Sequence, residues 1–393
     1  MPKGNRKVKT LGLVLELNPA HFGHKYFIDT AKAKVSPDYT ICVLSTSFCQ
    51  RGLPSVADKW EKAKIALKLG VDLVFELPVS NLLQFSDAFC RESIEKLASL
   101  KVTDIAFGVE LDNLEKLKKI VDIMDSAAYN LDLKENLAKG SSYASSSLKA
   151  IMKQTSDEEI INAVNEPNNI LAIGYLKALK NYPNINIHLI KRINNNYNDL
   201  DLNDSLISSA TAIRKAITDN TNYLDQVIDK DYKYLDESKM LDKLFDLIKY
   251  QFATHDLSYF KDILCVDEGI EVRINKFLGE AKSFADLASL VRTKRYSLNH
   301  VNRILVNIAL DNKKGINDTP YLRLLAFNPE KKDYLNKLNK DIKALIFSSP
   351  KDSNSSVLSQ ELKASKIYDL ITGLNTYKLE FNAPIKLEVN NNE

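Results

Sequence analysis

Residues 12–24 of this chain read Gly-Leu-Val-Leu-Glu-Leu-Asn-Pro-Ala-His-Phe-Gly-His. The apolar first half ends at Asn18-Pro19, a pattern that predicts a buried parallel strand followed by a tight turn. A helix is expected to begin near Gly23, so that free backbone N–H groups and the helix dipole favour a bound phosphate. His21 and His24 stand one helical turn apart and therefore share a face. The stretch predicts a nucleotide site in which both imidazoles bind phosphate oxygens during phosphoanhydride cleavage.

Two other interpretations of the histidine pair are a metal site and two histidines that only satisfy the turn. Zinc would require further cysteine or carboxylate ligands at short spacing, and none is apparent nearby. The cysteines Cys42, Cys49, Cys90 and Cys265 show no Cys-x-x-Cys spacing, which disfavours a zinc site, a redox pair or a disulfide framework. We therefore expect no metal ligands among the side chains.

Length and composition are those of an ordinary globular protein and do not indicate a function. A chain of 393 residues suggests two or three domains. Its net charge of +3 is too small to indicate a nucleic-acid partner by itself. No apolar run approaches the roughly 20 residues that cross a bilayer, and residues 1–10 precede a strand rather than a secretory core. A cytoplasmic protein with no membrane partner is expected.

Strand-like and helix-like segments alternate between residues 10 and 225, which predicts an α/β fold with a doubly wound parallel sheet. Strands after the first are expected at Tyr39–Leu44, Val71–Leu77, Ile105–Val109 and Asn186–Ile190. A capping box at Ser55–Asp58 predicts a helix that ends at Gly70. Ser141–Ser147 is interpreted either as a flexible linker or as an ordered loop beside the substrate.

Beyond residue 225 the pattern changes to amphipathic helices such as Leu241–Phe252 and Val301–Leu310. The change predicts a separate helical domain. We therefore divide the chain into a nucleotide-binding domain at residues 1–225 and a helical domain at residues 226–393.

A second nucleotide motif spans Ser205–Lys215. Ser208, Ser209 and Thr211 are suited to cap a helix, and Arg214 on its first turns would clamp a leaving pyrophosphate. An ordinary helix cap is the alternative interpretation. The order of the two motifs, about 180 residues apart, favours the nucleotide site.

With these motifs in order, the chain resembles the tRNA(Met) cytidine acetate ligase family of the His-x-Gly-His nucleotidyltransferase superfamily. The matching segments are Glu16–His24, Gln50–Gly52, Lys59-Trp60, Gly70–Pro78, Phe107-Gly108, residues 167–171, Arg192-Ile193 and Ser208–Arg214, with weaker matches in Tyr296–Leu310 and Tyr321–Asn328. The resemblance implies a Rossmann-like domain that adenylates acetate with ATP. It also implies acetylation of the wobble cytidine of elongator tRNA(Met).

The resemblance further implies a set of ATP-binding residues. They are Val14, Leu15, Glu16, Leu17, Asn18, Pro19, Ala20, His21, Phe22, Gly23, His24, Lys25, Tyr26, Phe27, Gly108, Asn169, Arg192, Ile193, Ser209 and Thr211. Among these, Gly108 is alternatively a turn glycine, Asn169 a helix cap and Arg192 a surface charge. His21, His24 and Arg214 are the expected catalytic residues, because they would stabilise the charged transition state. Mg²⁺ is expected to neutralise the β- and γ-phosphate oxygens.

A basic segment with an aromatic residue, Thr293–Tyr296, predicts an RNA contact on the helical domain. Lys294 and Arg295 in this segment, together with Arg303, are the expected tRNA-binding residues of the helical domain. Arg51 would contact the nucleotide, the tRNA or a nearby carboxylate. A solvated charged face is the alternative.

Two other functions remain open at this point. A small-molecule adenylyltransferase would carry the same motifs. Such enzymes often need little beyond the sheet domain, however, whereas this chain continues into a helical domain at residues 226–393. A non-catalytic ATP- or tRNA-binding protein is disfavoured because both histidines and the Ser/Thr-Arg motif are retained together.

Overall fold

The computed structural model describes residues 7–192, 208–316 and 321–387. Its strands are β1 Thr10–Leu15, β2 Tyr39–Ser45, β3 Phe48–Cys49, β4 Leu53–Pro54, β5 Leu73–Leu77, β6 Asp104–Val109, β7 Asn186–Lys191, β8 Leu322–Phe327, β9 Ile346–Phe347 and β10 Ile385–Lys386. The helices of the first half are α1 Phe22–Val35, α2 Lys59–Lys68, α3 Val79–Leu82, α4 Ser86–Ser99, α5 Leu114–Asp125, α6 Ala127–Ala138, α7 Tyr143–Gln154, α8 Glu158–Ala163 and α9 Pro167–Leu179.

The helices that follow are α10 Ala210–Thr218, α11 Glu237–Thr254, α12 Ile270–Leu278, α13 Phe284–Val291, α14 Leu298–Ala309, α15 Tyr334–Lys337, α16 Lys340–Leu345 and α17 Ser356–Thr372. Short 3-10 turns lie at Leu224–Gln226, Leu257–Asp262, Pro329–Lys331, Pro350–Asp352 and Tyr377–Phe381. None of these described helices combines the length and the apolarity that crossing a bilayer requires.

The sheet confirms the predicted doubly wound topology. Its parallel part has the order β5-β2-β1-β6-β7, so the chain winds outward from β1 first to one side and then to the other. The order reverses between β1 and β6. In open α/β sheets a ligand binds at this switch point, beyond the carboxyl ends of the strands.

Both faces of the sheet are buried, which is why its strands are almost continuously apolar. Alternate residues along a strand point to opposite faces. Leu11 and Leu13 of β1 pack with Ile28 of α1, whereas Ile41 of β2 packs in the second core with Ile94 of α4. The core therefore lies in two layers, one on either side of the sheet.

The region after residue 225 is mainly helical, as expected, but it also extends the sheet. Strand β8 pairs antiparallel with β5, and β9 and β10 pair parallel with β8. The sequence analysis did not predict these strands. The boundary at residue 225 stays a prediction, and the sheet crosses it.

Five buried charged residues join these C-terminal elements to the parallel sheet. We call Lys59, Glu76, Arg323, Glu361 and Glu380 the buried charge cluster. The Lys59 ammonium lies 2.7 Å from Glu76, 3.3 Å from Glu361 and 2.6 Å from Glu380. Arg323 lies 2.6 Å from Glu380 and 3.4 Å from Glu76. Burial and the neighbouring carboxylates raise the pKa of Glu361 above its ordinary value.

Two helix starts differ from the sequence expectation. Helix α2 is capped by Asp58, whose carboxylate accepts from the Trp60 and Glu61 amides, so the helix begins at Lys59, four residues after Ser55. Ser142 caps α7 by accepting from the Ser145 amide at 3.2 Å. The segment Ser141–Ser147 is therefore mostly the first turn of a helix and not a linker.

Candidate active site

A cavity of about 310 Å³ opens at the switch point of the sheet. Its walls come from the ends of β1, β6 and β7, the first turns of α1 and α10, and the loop at residues 49–53. Because the carboxyl ends of parallel strands meet at one edge, residues far apart in sequence converge there. The two motifs of the sequence analysis thus form one cavity.

His21 and His24 cap α1 reciprocally. The Nδ1 of His21 accepts from the Gly23 amide at 3.0 Å, and the Nδ1 of His24 accepts from the His21 amide at 3.2 Å. The ring centroids are 4.1 Å apart. The Gly23 amide is therefore already bonded to an imidazole, whereas the sequence analysis expected free amides at this helix start.

The cap determines which tautomer each histidine adopts. Burial, followed by nearby positive groups, lowers the pKa of His21 well below its usual value. Burial, Arg192 and Lys62 lower the pKa of His24 to about 4. Both rings are thus neutral at pH 7, and a Nδ1 that accepts a hydrogen bond leaves the proton on Nε2. The pair therefore offers two Nε2–H donors to the cavity.

Stability should depend on pH through His24. Because its pKa is lowered in the folded protein, the stability it contributes is complete above pH 6.5 and is lost as the pH falls through about 4. The loss should be at most about 1.4 kcal/mol per pH unit for this group. Urea denaturation at about pH 7 and about pH 5 should show a smaller drop in unfolding free energy for His24→Gln than for the unaltered chain. An equal drop in both would contradict the lowered pKa.

Arg214 also lines the cavity, and several partners fix its guanidinium group. Its guanidinium donates to the Asn18 carbonyl at 2.8 Å and to the Thr211 hydroxyl at 3.3 Å, and its Nε lies 3.2 Å from a Glu237 carboxylate oxygen. Ser209 caps the same helix by accepting from the Ala212 amide at 3.1 Å. Arg214 is therefore oriented before any ligand arrives.

Asn18 connects the turn after β1 to the neighbouring loop. Its side-chain carbonyl accepts from the Val56 amide at 2.8 Å and from the Ser55 hydroxyl at 3.2 Å. Its amide group donates to the Cys49 sulfur at 2.8 Å. The Asn18 side chain thus holds the neighbouring loop in place, and the Asn18 backbone carbonyl holds Arg214.

The charges around the cavity suit an anion. Arg51, Lys191, Arg192 and Arg214 line it, and Glu16 is the one carboxylate among the described lining residues. Glu16 accepts from the Gln50 amide at 3.0 Å. Within the described part of the chain, no group of three or more His, Cys, Asp or Glu side chains is placed to hold a metal ion.

The cavity gathers most of the ATP-binding residues that the resemblance implied. Those that line it are Val14, Leu15, Glu16, Leu17, Asn18, His21, Gly23, His24, Tyr26, Phe27, Gly108, Arg192, Ser209 and Thr211, and the expected catalytic residue Arg214 lines it too. Pro19, Ala20, Phe22, Lys25 and Asn169 are not among the lining residues. Ile193 lies outside the described residues.

Asn169 is buried behind the cavity wall. Its carbonyl oxygen accepts from the amides of Glu110 at 3.0 Å and Leu111 at 3.2 Å, and its amide donates to Glu166. Its neighbour Asn168 lines the cavity instead. Asn169 thus orders the loop after β6, and an ATP contact of its side chain stays a prediction. Lys25 is exposed and pairs with Asp29 at 2.6 Å.

The expected tRNA-binding residues are not all on the surface. Lys294 and Arg295 are exposed, and Arg51 lines the cavity. Arg303 is only 6% exposed and donates to the Gln50 carbonyl at 3.1 Å. At Gly52, with φ of +76°, a Cβ would lie 2.3 Å from the Arg303 amide nitrogen, so the loop packs directly on α14. Arg303 therefore supports this loop, and the described conformation does not present it to RNA.

An apolar wall of the cavity was missed by the sequence analysis. It comprises Phe89, Leu171 and Tyr175 from α4 and α9, together with Phe107 of β6. Phe89 and Tyr175 carry no motif, and only helix packing brings them to the site, whereas Phe107 and Leu171 stand in matching segments. Asn168 did have a signal, because it stands in the matching segment beside Asn169.

Comparison with known protein families defines the class. Residues 8–382 match the family described as HIGH Nucleotidyl Transferase. The chain therefore belongs to the HIGH nucleotidyl transferase family.

Its relatives within that class share one name. A tRNA(Met) cytidine acetate ligase of Clostridium perfringens is 34% identical over 381 residues, covering 92% of this chain and 94% of the relative. Proteins of the same name from Caldanaerobacter subterraneus subsp. tengcongensis and Staphylococcus aureus are 35% and 31% identical, and each comparison covers 96% of this chain and 99% of the relative. The resemblance stated from the sequence is confirmed.

Two crystal structures of one protein also match. Thermotoga maritima TmcAL in an apo form has a TM-score of 0.87 and 27% identity, covering 97% of this chain and 100% of that chain. The same protein bound with alpha-thio ATP has a TM-score of 0.84 and 26% identity, with the same coverage. The α/β fold class is confirmed over nearly the whole chain.

Proposed function

We propose that this protein is an ATP-dependent ligase that activates acetate as acetyl-adenylate and acetylates N4 of the wobble cytidine of elongator tRNA(Met). The observation that carries the proposal is that the pair of neutral Nε2–H imidazoles lines one cavity together with Arg214 and other cationic side chains. The shared name of the relatives supports the substrate, and the ATP analogue on the Thermotoga protein supports the nucleotide.

The first step needs activation because acetate would otherwise have to expel oxide. A carboxylate oxygen of acetate attacks the α-phosphorus of ATP, a P–O bond forms, and the bond to the bridging oxygen breaks to release pyrophosphate. His21 and His24 donate Nε2–H bonds to phosphate oxygens as negative charge develops, and Arg214 stabilises the departing pyrophosphate. These donors are oriented in advance, so little reorganisation accompanies the reaction.

Glu16 is the lining residue suited to meet a divalent ion, since Mg²⁺ sites commonly combine one or two carboxylates with substrate phosphates. When bound, Mg²⁺ supplies charge neutralisation at the β- and γ-phosphate oxygens. Because Glu16 is the one carboxylate among the described lining residues, we expect the ion to bind together with the nucleotide, whose phosphates supply further ligands.

In the second step the cytidine N4 attacks the acetyl carbonyl carbon. The N–C bond forms, the bond from carbon to the AMP oxygen breaks, AMP leaves, and N4 loses one proton. The amine is a weak nucleophile, so the apolar wall at Phe89, Leu171 and Tyr175 helps by excluding water from the mixed anhydride. Exposed Lys294 and Arg295 provide positive charge for the tRNA backbone. A cytoplasmic location, where tRNA is found, completes the proposal.

Transfer of radiolabelled acetate to total tRNA tests this function. The purified protein is incubated with ATP and Mg²⁺, and both pyrophosphate release and label in tRNA are measured. ATP-dependent label in tRNA is the expected result. Pyrophosphate release without label in RNA would favour the small-molecule adenylyltransferase, and neither signal would favour a non-catalytic binding protein.

Gly108→Ala should weaken ATP binding without weakening the fold. A Cβ at Gly108 would have its nearest neighbours at 3.9 Å and 4.0 Å, so the protein itself has room for the methyl group. The methyl group would nevertheless occupy space in the cavity wall. We expect the Kd for ATP to rise about 5- to 150-fold, as overpacking of about 1–3 kcal/mol implies, in isothermal titration calorimetry.

Gly279→Ala is the matched control for this substitution. Gly279 has no heavy atom within 4 Å of an added Cβ and does not line the cavity. Its variant should bind ATP with an unaltered Kd. Equal affinities of the Gly108 and Gly279 variants would contradict a nucleotide position against Gly108.

A further inference from the structure

A second cavity, of about 480 Å³, lies between the end of α6, the start of α4 and the turn that precedes α14. Four rings line it: Phe85, Tyr143, Tyr296 and His300. We call it the aromatic cavity. Phe85 is 47% exposed and Tyr143 is 53% exposed, which is a large apolar exposure for rings that lie around one opening.

The rings form a supported platform rather than isolated side chains. The centroids of Phe85 and His300 are 4.8 Å apart at an interplanar angle of 72°, and those of Tyr296 and His300 are 5.0 Å apart. The Tyr296 hydroxyl donates to the Asp267 carbonyl at 3.0 Å, which fixes its ring. Because these contacts already order the rings, binding of a planar ligand would cost the protein little side-chain entropy.

Polar groups in the wall can read the edge of such a ligand. The Nε2 of His300 is buried and has no hydrogen-bond partner among the described residues. Burial and Arg303 lower the pKa of His300 to about 4, so the ring is neutral at pH 7. Arg295 lines the cavity, exposed beside Lys294, and pairs with Glu268 at 3.2 Å. Asp267 and Glu268 line it as well, so the cavity combines stacking surfaces with carboxylate and guanidinium groups that can pair with the edge of a base.

The aromatic cavity is connected to the active site through Gln50. Gln50 lines the active-site cavity. Its backbone carbonyl accepts a hydrogen bond from Arg303 at 3.1 Å, and its side-chain amide donates to the Ser86 hydroxyl at 3.3 Å. Ser86 follows Phe85 directly, and Arg303 lies one turn after His300 on α14. The two cavities therefore share a wall.

We propose that the aromatic cavity binds an unstacked nucleobase of the RNA substrate, from the same single-stranded loop as the base that enters the active site. This inference rests on the proposed function. A base between aromatic rings gains stacking energy, and single-stranded loops are the RNA elements whose bases can turn outward. The adjoining Lys294 and Arg295 suit the phosphates that accompany such a base. The occupant is thus a nucleotide of the RNA and not a second ATP.

The test measures RNA affinity in variants that remove one ring. Phe85→Ala and Tyr143→Ala alter exposed side chains, so the fold should tolerate them. Tyr250→Ala is the matched control, because Tyr250 is 62% exposed and does not line the cavity. The probe is the fluorescein-labelled anticodon stem-loop of elongator tRNA(Met), titrated by fluorescence anisotropy. Acetate-dependent exchange of pyrophosphate into ATP reports on the active site separately.

We expect the Kd for the stem-loop to rise about 5- to 150-fold in each cavity variant, the range that loss of one stacked base implies. Tyr143→Phe should bind as the unaltered protein does, and the exchange rate should stay unchanged in all four variants. Wild-type affinity in both cavity variants would overturn the inference. If the unaltered protein fails to acetylate tRNA, the proposed function itself fails. Transfer of radiolabelled acetate to total tRNA identifies that case, independently of the affinity for the stem-loop.

Discussion

The His24→Ala variant is expected to lose nearly all acetate-dependent exchange of pyrophosphate into ATP. The structure places a neutral imidazole at the start of α1 with its Nε2–H available to the cavity. Removing one donor of this kind, aimed at charge that develops in the transition state, lowers kcat by about 10²- to 10³-fold. Acetylation of tRNA should fall in parallel, because both reactions pass through the same adenylate. Steady-state kinetics of the two reactions check the expectation.

The loss must be separated from damage to the helix. The His24 ring also accepts from the His21 amide, and loss of such a cap costs about 0.5–2 kcal/mol of unfolding free energy. Urea denaturation would show whether the variant remains folded under assay conditions. His255→Ala is the control, because His255 stacks on Tyr259 at a centroid distance of 3.8 Å and does not line the cavity. Wild-type exchange by a folded His24→Ala protein would exclude the proposed role of this imidazole.

The second large effect is expected on stability. Lys59→Met should lower the free energy of unfolding by about 3–5 kcal/mol, the usual cost of breaking a buried ion pair from one side. The Lys59 ammonium contacts three carboxylates whose side chains are at most 1% exposed. Without Lys59, Arg323 would remain as the one cation of the buried charge cluster, and it pairs only with Glu76 and Glu380. The loss should appear as a lower urea midpoint in equilibrium denaturation.

Lys62→Met provides a matched comparison one turn later on the same helix. Lys62 is also buried, but its ammonium donates to the Ser45 hydroxyl at 2.9 Å and to the Thr46 carbonyl at 2.7 Å, which are neutral groups. Burial lowers the pKa of Lys62, so the buried charge itself is costly. Its replacement by methionine should cost less than that of Lys59. Equal losses in the two variants would show that the three carboxylates do not determine the effect.

Local patterns accounted for much of the parallel sheet and for the two motifs. The strand before Asn18, the helix start at His21 and the cap at Ser209 each depend on residues adjacent in sequence. Strand β8 could not be recognised in this way. Its partner β5 lies about 250 residues earlier, and β8 pairs antiparallel with β5 but parallel with β9 and β10, a mixed pairing that leaves no periodic signal of its own. The same limit explains why the buried charge cluster was not predicted.

Individual side chains show a similar division. Arg303 has the residue type of an RNA contact, but packing of α14 against Gln50 and Gly52 turns it into a support for the loop. Asn169 has the residue type of a ligand contact, but its side-chain oxygen accepts from the backbone amides of Glu110 and Leu111. Residue type and spacing therefore identified the neighbourhood of the site. They did not identify which of two adjacent asparagines lines it.

The sequence by itself determined the strand-turn-helix at residues 10–35, the doubly wound class of the sheet, and the family to which the chain belongs. These features follow from hydrophobic periodicity, turn residues and short motifs, which act over a few residues. The tertiary structure alone decided the neutral Nε2–H form of the histidine pair, the apolar wall at Phe89 and Tyr175, and the aromatic cavity. Those features depend on burial and on contacts between distant segments, and such contacts arise only when the chain is packed.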